Sequence, residues 1–194
     1  MVLASHVIFS AYGFWLPNDP RGSTSLELRV AIIQSLGDIH YGRKLQQPSS
    51  AELRLFLSQA HDALAHPVMI LDEAGIELVG KVLGEEIGAR GYTCYACAVM
   101  PDHVHLLIRR HRDKAEAMIE VFQDKSRAAL IEAGHRQPTH PVWTKGGWKG
   151  FLNTPADFVR DVSYIGNNPT KIGRPAQHWE FVAPYDGWLP RYRG

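Results

Sequence analysis

Two β-forming runs, "YTCYACAVM" at 92–100 and "HVHLLIRR" at 103–110, are separated only by Pro101 and Asp102. A two-residue connection folds two strands back as a tight antiparallel hairpin, so the chain must build a sheet around this pair. Alternate residues of a strand share a face, which puts His103 and His105 on one side and Val104 on the other. Two adjacent imidazoles suit two ligands of one metal ion, and equally suit one buried, hydrogen-bonded histidine beside an exposed one.

The flanking patterns supply the other elements. "VLASHVIFSAYGFWL" reads as a strand from about Val2 to Phe14, stopped by Pro17, and "PNDPRGS" as a turn-rich loop. Residues 23–48 read as irregular with one short helix. Helix spacing follows from Ser49, with Leu53, Phe56, Leu57, Ala60 and Leu64 on one face, and again from Asp72 to about Ala89, with Ile76, Val79, Val82, Leu83 and Ile87 together. Gly91 closes that second helix. A further helix is expected from Asp113 to about Ala133, then a strand, or two short ones broken at Gly146-Gly147, in "VWTKGGWKGFL". The last helix starts with Thr154 as N-cap and Pro155 at its first turn, buries Phe158, Val162 and Ile165, and ends at Pro169.

This order predicts an α+β fold: a ferredoxin-like βαββαβ antiparallel sheet with helices on one face, plus a C-terminal helix carrying Tyr164. The 194 residues are expected to form one domain over 1–194, with an insertion at about 15–70 and an aromatic, basic tail at about 175–194. No apolar run approaches the roughly 18 residues that span a bilayer, and the first residues lack a signal-peptide pattern. A cytoplasmic protein with no membrane partner is the expectation.

Cys94 and Cys97 have C-x-x-C spacing. On a strand an odd separation sends the side chains to opposite faces, and no second cysteine pair completes a zinc set, so both read as small buried apolar residues. The net charge of +1 hides an asymmetry: residues 1–100 hold 7 Lys/Arg against 10 Asp/Glu, and residues 101–194 hold 14 against 10. The second part is thus +4 and the first −3, which favours a local basic surface on the second.

Three known uses of paired histidines fit poorly. A histidine-triad hydrolase needs a third histidine where Leu107 stands; a two-motif phosphoesterase needs a second His-x-Ser/Thr; structural zinc needs ligands better spaced than His111, His135 and His140. A two-histidine site completed from another element remains. Tyr164 and Asn168 are four residues apart, so one helix would stack them on one face, with a carboxamide oxygen to complete a metal site and a phenol beside it.

With these residues in view, the chain resembles the HUH single-strand tyrosine transposases. "MPDHVHLLI" is similar to their His-hydrophobic-His motif. "YIGNNP" resembles the nucleophile helix of the REP-associated branch, "VFQDKSRAALI" its connecting helix, and "VWTKGGWKGFL" its strand before the nucleophile. The resemblance spans about residues 92–170. It implies a metal-dependent enzyme that nicks and rejoins single-stranded DNA through a 5′-phosphotyrosine. Tyr164 would be the nucleophile, His103 and His105 catalytic metal ligands, and Asn168 the third ligand. Imidazole ligands alone favour zinc, iron or nickel, whereas the resemblance implies magnesium or manganese.

The implied partner is single-stranded DNA, hairpin or palindromic, with the protein as monomer or homodimer. Arg109, Arg110, Arg112, Lys125, Arg127, Lys145 and Lys149 are the candidate phosphate contacts. In the tail, Trp179, Phe181, Tyr185, Trp188 and Tyr192 alternate with Arg191 and Arg193, and suit either base stacking or packing over the sheet. Two other functions stay open: an inactive binder of structured single strands, and a metal-dependent phosphoesterase on nucleotides.

Overall fold

The computed structural model describes residues 2–16, 18–23 and 42–190. Its main sheet has four strands, β1 (Ala4–Ser10), β4 (Cys94–Val99), β5 (His103–Arg109) and β6 (Trp148–Leu152), in the order β4-β5-β1-β6, all neighbours antiparallel. That order is the ferredoxin-like one, with the first strand central and the hairpin beside it. A small ribbon, β2 (Gly22–Ser23) with β3 (Gly42–Arg43), lies within the insertion. Most of 23–48, where a short helix is expected, falls outside the described residues.

The helices are α1 (Ser50–Asp62), α2 (Glu73–Arg90), α3 (Ala115–Glu132), α4 (Pro155–Gly166) and the single turn α5 (Asn168–Lys171). Their ends follow local chemistry. Ser49 and Glu52 form a reciprocal capping box on α1, Asp72 accepts from Gly75 N at the start of α2, and Gly91 ends α2 at φ 67°. Thr154 caps α4, and Pro155 occupies its first turn.

The sheet separates two cores. On one face α2 and α3 pack Ile76, Val79, Leu83, Ile119 and Phe122 against Val7, Phe9, Val104 and Leu106. On the other, α4 sets Phe158 and Ile165 against Ala4, Tyr95, Ala98 and Leu107. Thus α2 and α3 share one face as expected, and the tyrosine helix covers the other. In the insertion, Phe56 and Ala60 of α1 bury Leu16 in a separate small cluster.

One expectation for the strands fails. Cys94 and Cys97 line the same core, that of α2 and α3, rather than opposite faces. The register of β4 shifts between Cys94 and Ala96, and a bulge adds one residue to one strand, which reverses the in-out phase. Both thiols are free and buried; burial pushes the Cys94 thiol up to about 12 and raises Cys97 as well.

The tail packs rather than extends. Trp179 and Phe181 are stacked and seated on α2, where an ideal Cβ at Gly80 would lie 2.1 Å from the Trp179 ring and one at Gly84 2.7 Å from Phe181. The chain then crosses the outer edge of β4. Gln177 bonds the Val99 N–H and C=O at 2.9 and 2.7 Å, and Ala183 N–H donates to Cys94 O at 2.8 Å. On the far face Tyr185 stacks on Phe158, 3.9 Å between centroids. Tyr192, Arg191 and Arg193 lie outside the described residues. Among the described residues, no helix is long and apolar enough to cross a membrane.

Candidate active site

Strand register brings three histidines to the α4 face. His6 of β1 lies opposite Leu107, Ile8 opposite His105, and Ser10 opposite His103. His6 and His105 are therefore diagonal neighbours across an antiparallel pair, a separation that two rings can close. They do: His6 Nε2 and His105 Nδ1 are 2.9 Å apart, and His6 Nδ1 lies 3.0 Å from Asp161 Oδ2 of α4. His103 stands at the mouth of the site, its Nδ1 2.7 Å from Asp102 Oδ1 in the hairpin turn. The His103 and His105 rings meet edge to face, with centroids 4.7 Å apart.

Both Nδ1 atoms of the His103/His105 pair are thus occupied, and both Nε2 atoms are left for a ligand. Metal-binding histidines are typically held this way, by a partner on the nitrogen that does not ligate. Burial holds the His105 imidazole well below its usual range, helped by repulsion from His103, His6 and Lys171, and so keeps it neutral as a ligand must be. Burial also lowers His6, against the opposing pull of Asp161. For Asp102, burial acts upward, but its hydrogen bond to His103 and that residue's charge hold the carboxyl below its usual range.

Tyr164, on the last turn of α4, is 46% exposed, and its ring lies 5.7 Å from that of His105 and 6.3 Å from that of His6. Lys171 of α5 reaches back so that its Nζ sits 4.1 Å from the centre of the Tyr164 ring and 3.5 Å from Asn168 Oδ1. Asn168 is buried, and its Nδ2 makes no hydrogen bond. Tyr164 and Asn168 do not share one continuous helix: α4 stops at Gly166 and α5 begins at Asn168, after Asn167. The break lies just before Pro169, which has no N–H to continue the backbone bonding of α4.

Among the described residues, no three His, Cys, Asp or Glu side chains are grouped to hold a metal ion. The lone pairs gathered here are those of two imidazole Nε2 atoms; Asn168 Oδ1, the amide atom able to ligate, faces Lys171 Nζ at 3.5 Å, and its unpartnered Nδ2 is a donor. Two neutral imidazoles would suit a divalent ion that takes its other ligands from phosphate and water, and Asn168 would join them by turning its Oδ1 from Lys171.

The basic side chains are more scattered. Arg109 lies over the Trp188 ring at 3.7 Å, and Arg110 and Arg112 are exposed beyond it, at the end of β5 away from His103. Lys125, Arg127 and Lys149 are on the α3 side of the sheet. Lys125 approaches Glu86, Arg127 donates to His140 O, and Lys149 pairs with Glu116. Lys145 is exposed beside the Gly146 turn.

His6, Asp161 and Lys171 belong to the site and escaped the sequence reading, as did Trp148, whose ring lies across Gly150 and meets His6 edge-on at 5.6 Å. For His6 the available signal was its place at an alternate position of an apolar strand. Asp161 and Lys171 show as a carboxylate three residues before Tyr164 and a cation three after Asn168.

No family model matches the chain, and no curated protein matches it. Among solved structures, it is similar to a REP-associated tyrosine transposase bound to a REP hairpin, with 11% identity, a TM-score of 0.46, and coverage of 88% of this chain and 68% of that one. It is also similar to a Deinococcus radiodurans R1 protein assigned as a transposase, with 16% identity, a TM-score of 0.42, and coverage of 86% and 91%.

Proposed function

We propose that this chain nicks and rejoins single-stranded DNA, with Tyr164 as the nucleophile. The observation that carries the reading is an exposed phenol whose ring lies 5.7 Å from that of His105, which in turn meets His103, the Nδ1 atoms of both histidines being engaged and their Nε2 atoms left open. The order of motifs around these residues supports the same chemistry.

In this reading the phenol oxygen attacks the scissile phosphorus, a phosphotyrosine bond forms, and the bond from phosphorus to the departing 3′-oxygen breaks. The phenol proton passes to solvent, and the leaving 3′-oxygen takes up a proton. A different 3′-hydroxyl then attacks the phosphotyrosine and expels the phenol, so strands exchange without an external energy source. A magnesium or manganese ion held by His103, His105 and Asn168 would polarise the phosphate. Lys171 places a positive charge 4.1 Å from the centre of the Tyr164 ring, where it would favour the phenolate that attacks. Hairpin-forming single strands are the substrate class implied by the motif resemblance, and Trp148 beside the site offers an aromatic face for a base.

The test is to incubate labelled hairpin DNA from the flanks of the gene with the protein and manganese, then run a denaturing gel beside Tyr164→Phe and His103→Ala. A covalent band absent from both variants supports the reading. Tight binding without an adduct would favour an inactive binder, and nucleotide hydrolysis without an adduct a phosphoesterase.

A further inference from the structure

We propose that Asp161 and His6 are positioning residues that fix His105 in one tautomer, with N–H at Nδ1 and the Nε2 lone pair directed to the site. The inference deepens the metal-ligand reading of His105 and rests on it for its functional consequence. Its structural part stands on the hydrogen-bond geometry and on a neutral His6.

The roles follow from one end with the His6 ring neutral, the form that its burial favours; a His6 imidazolium would donate from both nitrogens and place the His105 hydrogen on Nε2 instead. An ionised carboxylate only accepts, so the 3.0 Å contact with Asp161 Oδ2 requires His6 Nδ1 to donate. In a neutral imidazole the other nitrogen then carries the lone pair. His6 Nε2 can therefore only accept at its 2.9 Å contact, and His105 Nδ1 must be the donor. The remaining nitrogen of His105, Nε2, is left as a lone pair. Both rings are nearly inaccessible, 4% exposed for His6 and 3% for His105, so solvent does not offer a competing partner that would blur the assignment. The rings are also tilted by 42° with centroids 5.2 Å apart, which sets the plane of His105 as well as its proton.

The consequence is a division of labour among three segments. β5 supplies the ligand, β1 the ring that orients it, and α4 both the orienting carboxylate and, one turn later, the tyrosine. Asp161 and Tyr164 are three residues apart on the same helix, so the docking of α4 that delivers the nucleophile also completes the relay to His105. His103 is served separately by Asp102, which explains why one carboxylate sits in the hairpin turn and another on the helix.

The experiment uses the metal-free 194-residue chain labelled with 15N-histidine, and long-range proton–nitrogen correlation to read which ring nitrogen of His105 bears hydrogen. The expected result is Nδ1–H for His105 and Nδ1–H for His6 in the wild type, and loss of the single tautomer at His105 in His6→Phe and Asp161→Leu. Manganese(II) binding by calorimetry should weaken by about 10- to 100-fold in both variants, the usual effect of removing such a partner. Finding His105 protonated at Nε2 in the wild type overturns the inference without recourse to any variant. So does an unchanged manganese affinity in either folded variant. If the wild type shows the Nδ1–H tautomer but binds no manganese, the positioning stands and the metal reading of the site fails.

Discussion

Replacing Gly80 by alanine should loosen the tail, although alanine is the better helix former. An ideal Cβ at this position would lie 2.1, 2.2 and 2.8 Å from three atoms of the Trp179 ring, where ordinary carbon contacts are about 3.5–4 Å. Moving the indole far enough to clear the methyl unseats a partly buried ring. Full truncation of a buried Trp costs about 3–5 kcal/mol, so losing roughly half of that contact costs about 2 kcal/mol. Against this stands a gain of up to about 1 kcal/mol from helix propensity. Gly88 on the same helix provides the control, because its Cβ would meet nothing within 4 Å. The helix gain is common to both, so Gly80→Ala should be less stable than Gly88→Ala by about 2 kcal/mol, or about 4–8 °C in Tm for a chain of this size. Circular-dichroism melts and urea titrations of the two variants measure the difference. Equal melting temperatures would refute the seating of Trp179 on α2 as a source of stability.

Other outcomes follow from the same packing. Thr154→Ala removes the acceptor for Asp157 N–H at the start of α4 and should cost about 1 kcal/mol in urea unfolding, with the tyrosine's exposure unchanged. Cys94 and Cys97, buried and with raised pKa values, should stay unreactive toward a thiol reagent at pH 8 until denaturant is added; rapid reaction of the native protein would contradict their placement. Acid should destabilise the fold through His105, His6 and His140, all held below the ordinary histidine value chiefly by burial. The unfolded chain binds their protons more readily, so their contribution is complete above about pH 6.5 and declines as pH falls from there toward the lower folded values. Urea midpoints at pH 7.5 and 5.5 test this, and an unchanged midpoint would count against it.

Much of the architecture was legible because it is written in local patterns. Period and punctuation placed the hairpin, the helix starts at the Ser49-Ser50 pair, at Asp72 and at Thr154, and the stop at Gly91. The histidine pair, Tyr164 and Asn168 could be picked out by spacing and motif. What was not legible depends on register and on contacts between distant segments. His6 meets His105 across 99 positions and Asp161 across 155, and no local pattern encodes a diagonal contact of that kind. A single bulge in β4 reversed the predicted facing of Cys94 and Cys97. The helix break at Asn167 divided two residues that spacing alone would stack. Basic residues chosen for charge proved to have structural neighbours, as Arg127 has in the carbonyl of His140 and Lys149 in Glu116.

The crossing of β4 by residues 177–183 has a bearing on how copies of this chain can meet. A terminal strand with free backbone groups is a template for any other strand, and this chain uses its own Gln177 and Ala183 to occupy the outer side of β4. Strand addition from outside is thereby directed to the opposite rim, where β6 ends the sheet and Trp148 borders the site. A chain cut back to residue 175 would keep every residue of the candidate site yet present an adhesive rim, and would be expected to fail by sticking to itself rather than by losing its chemistry.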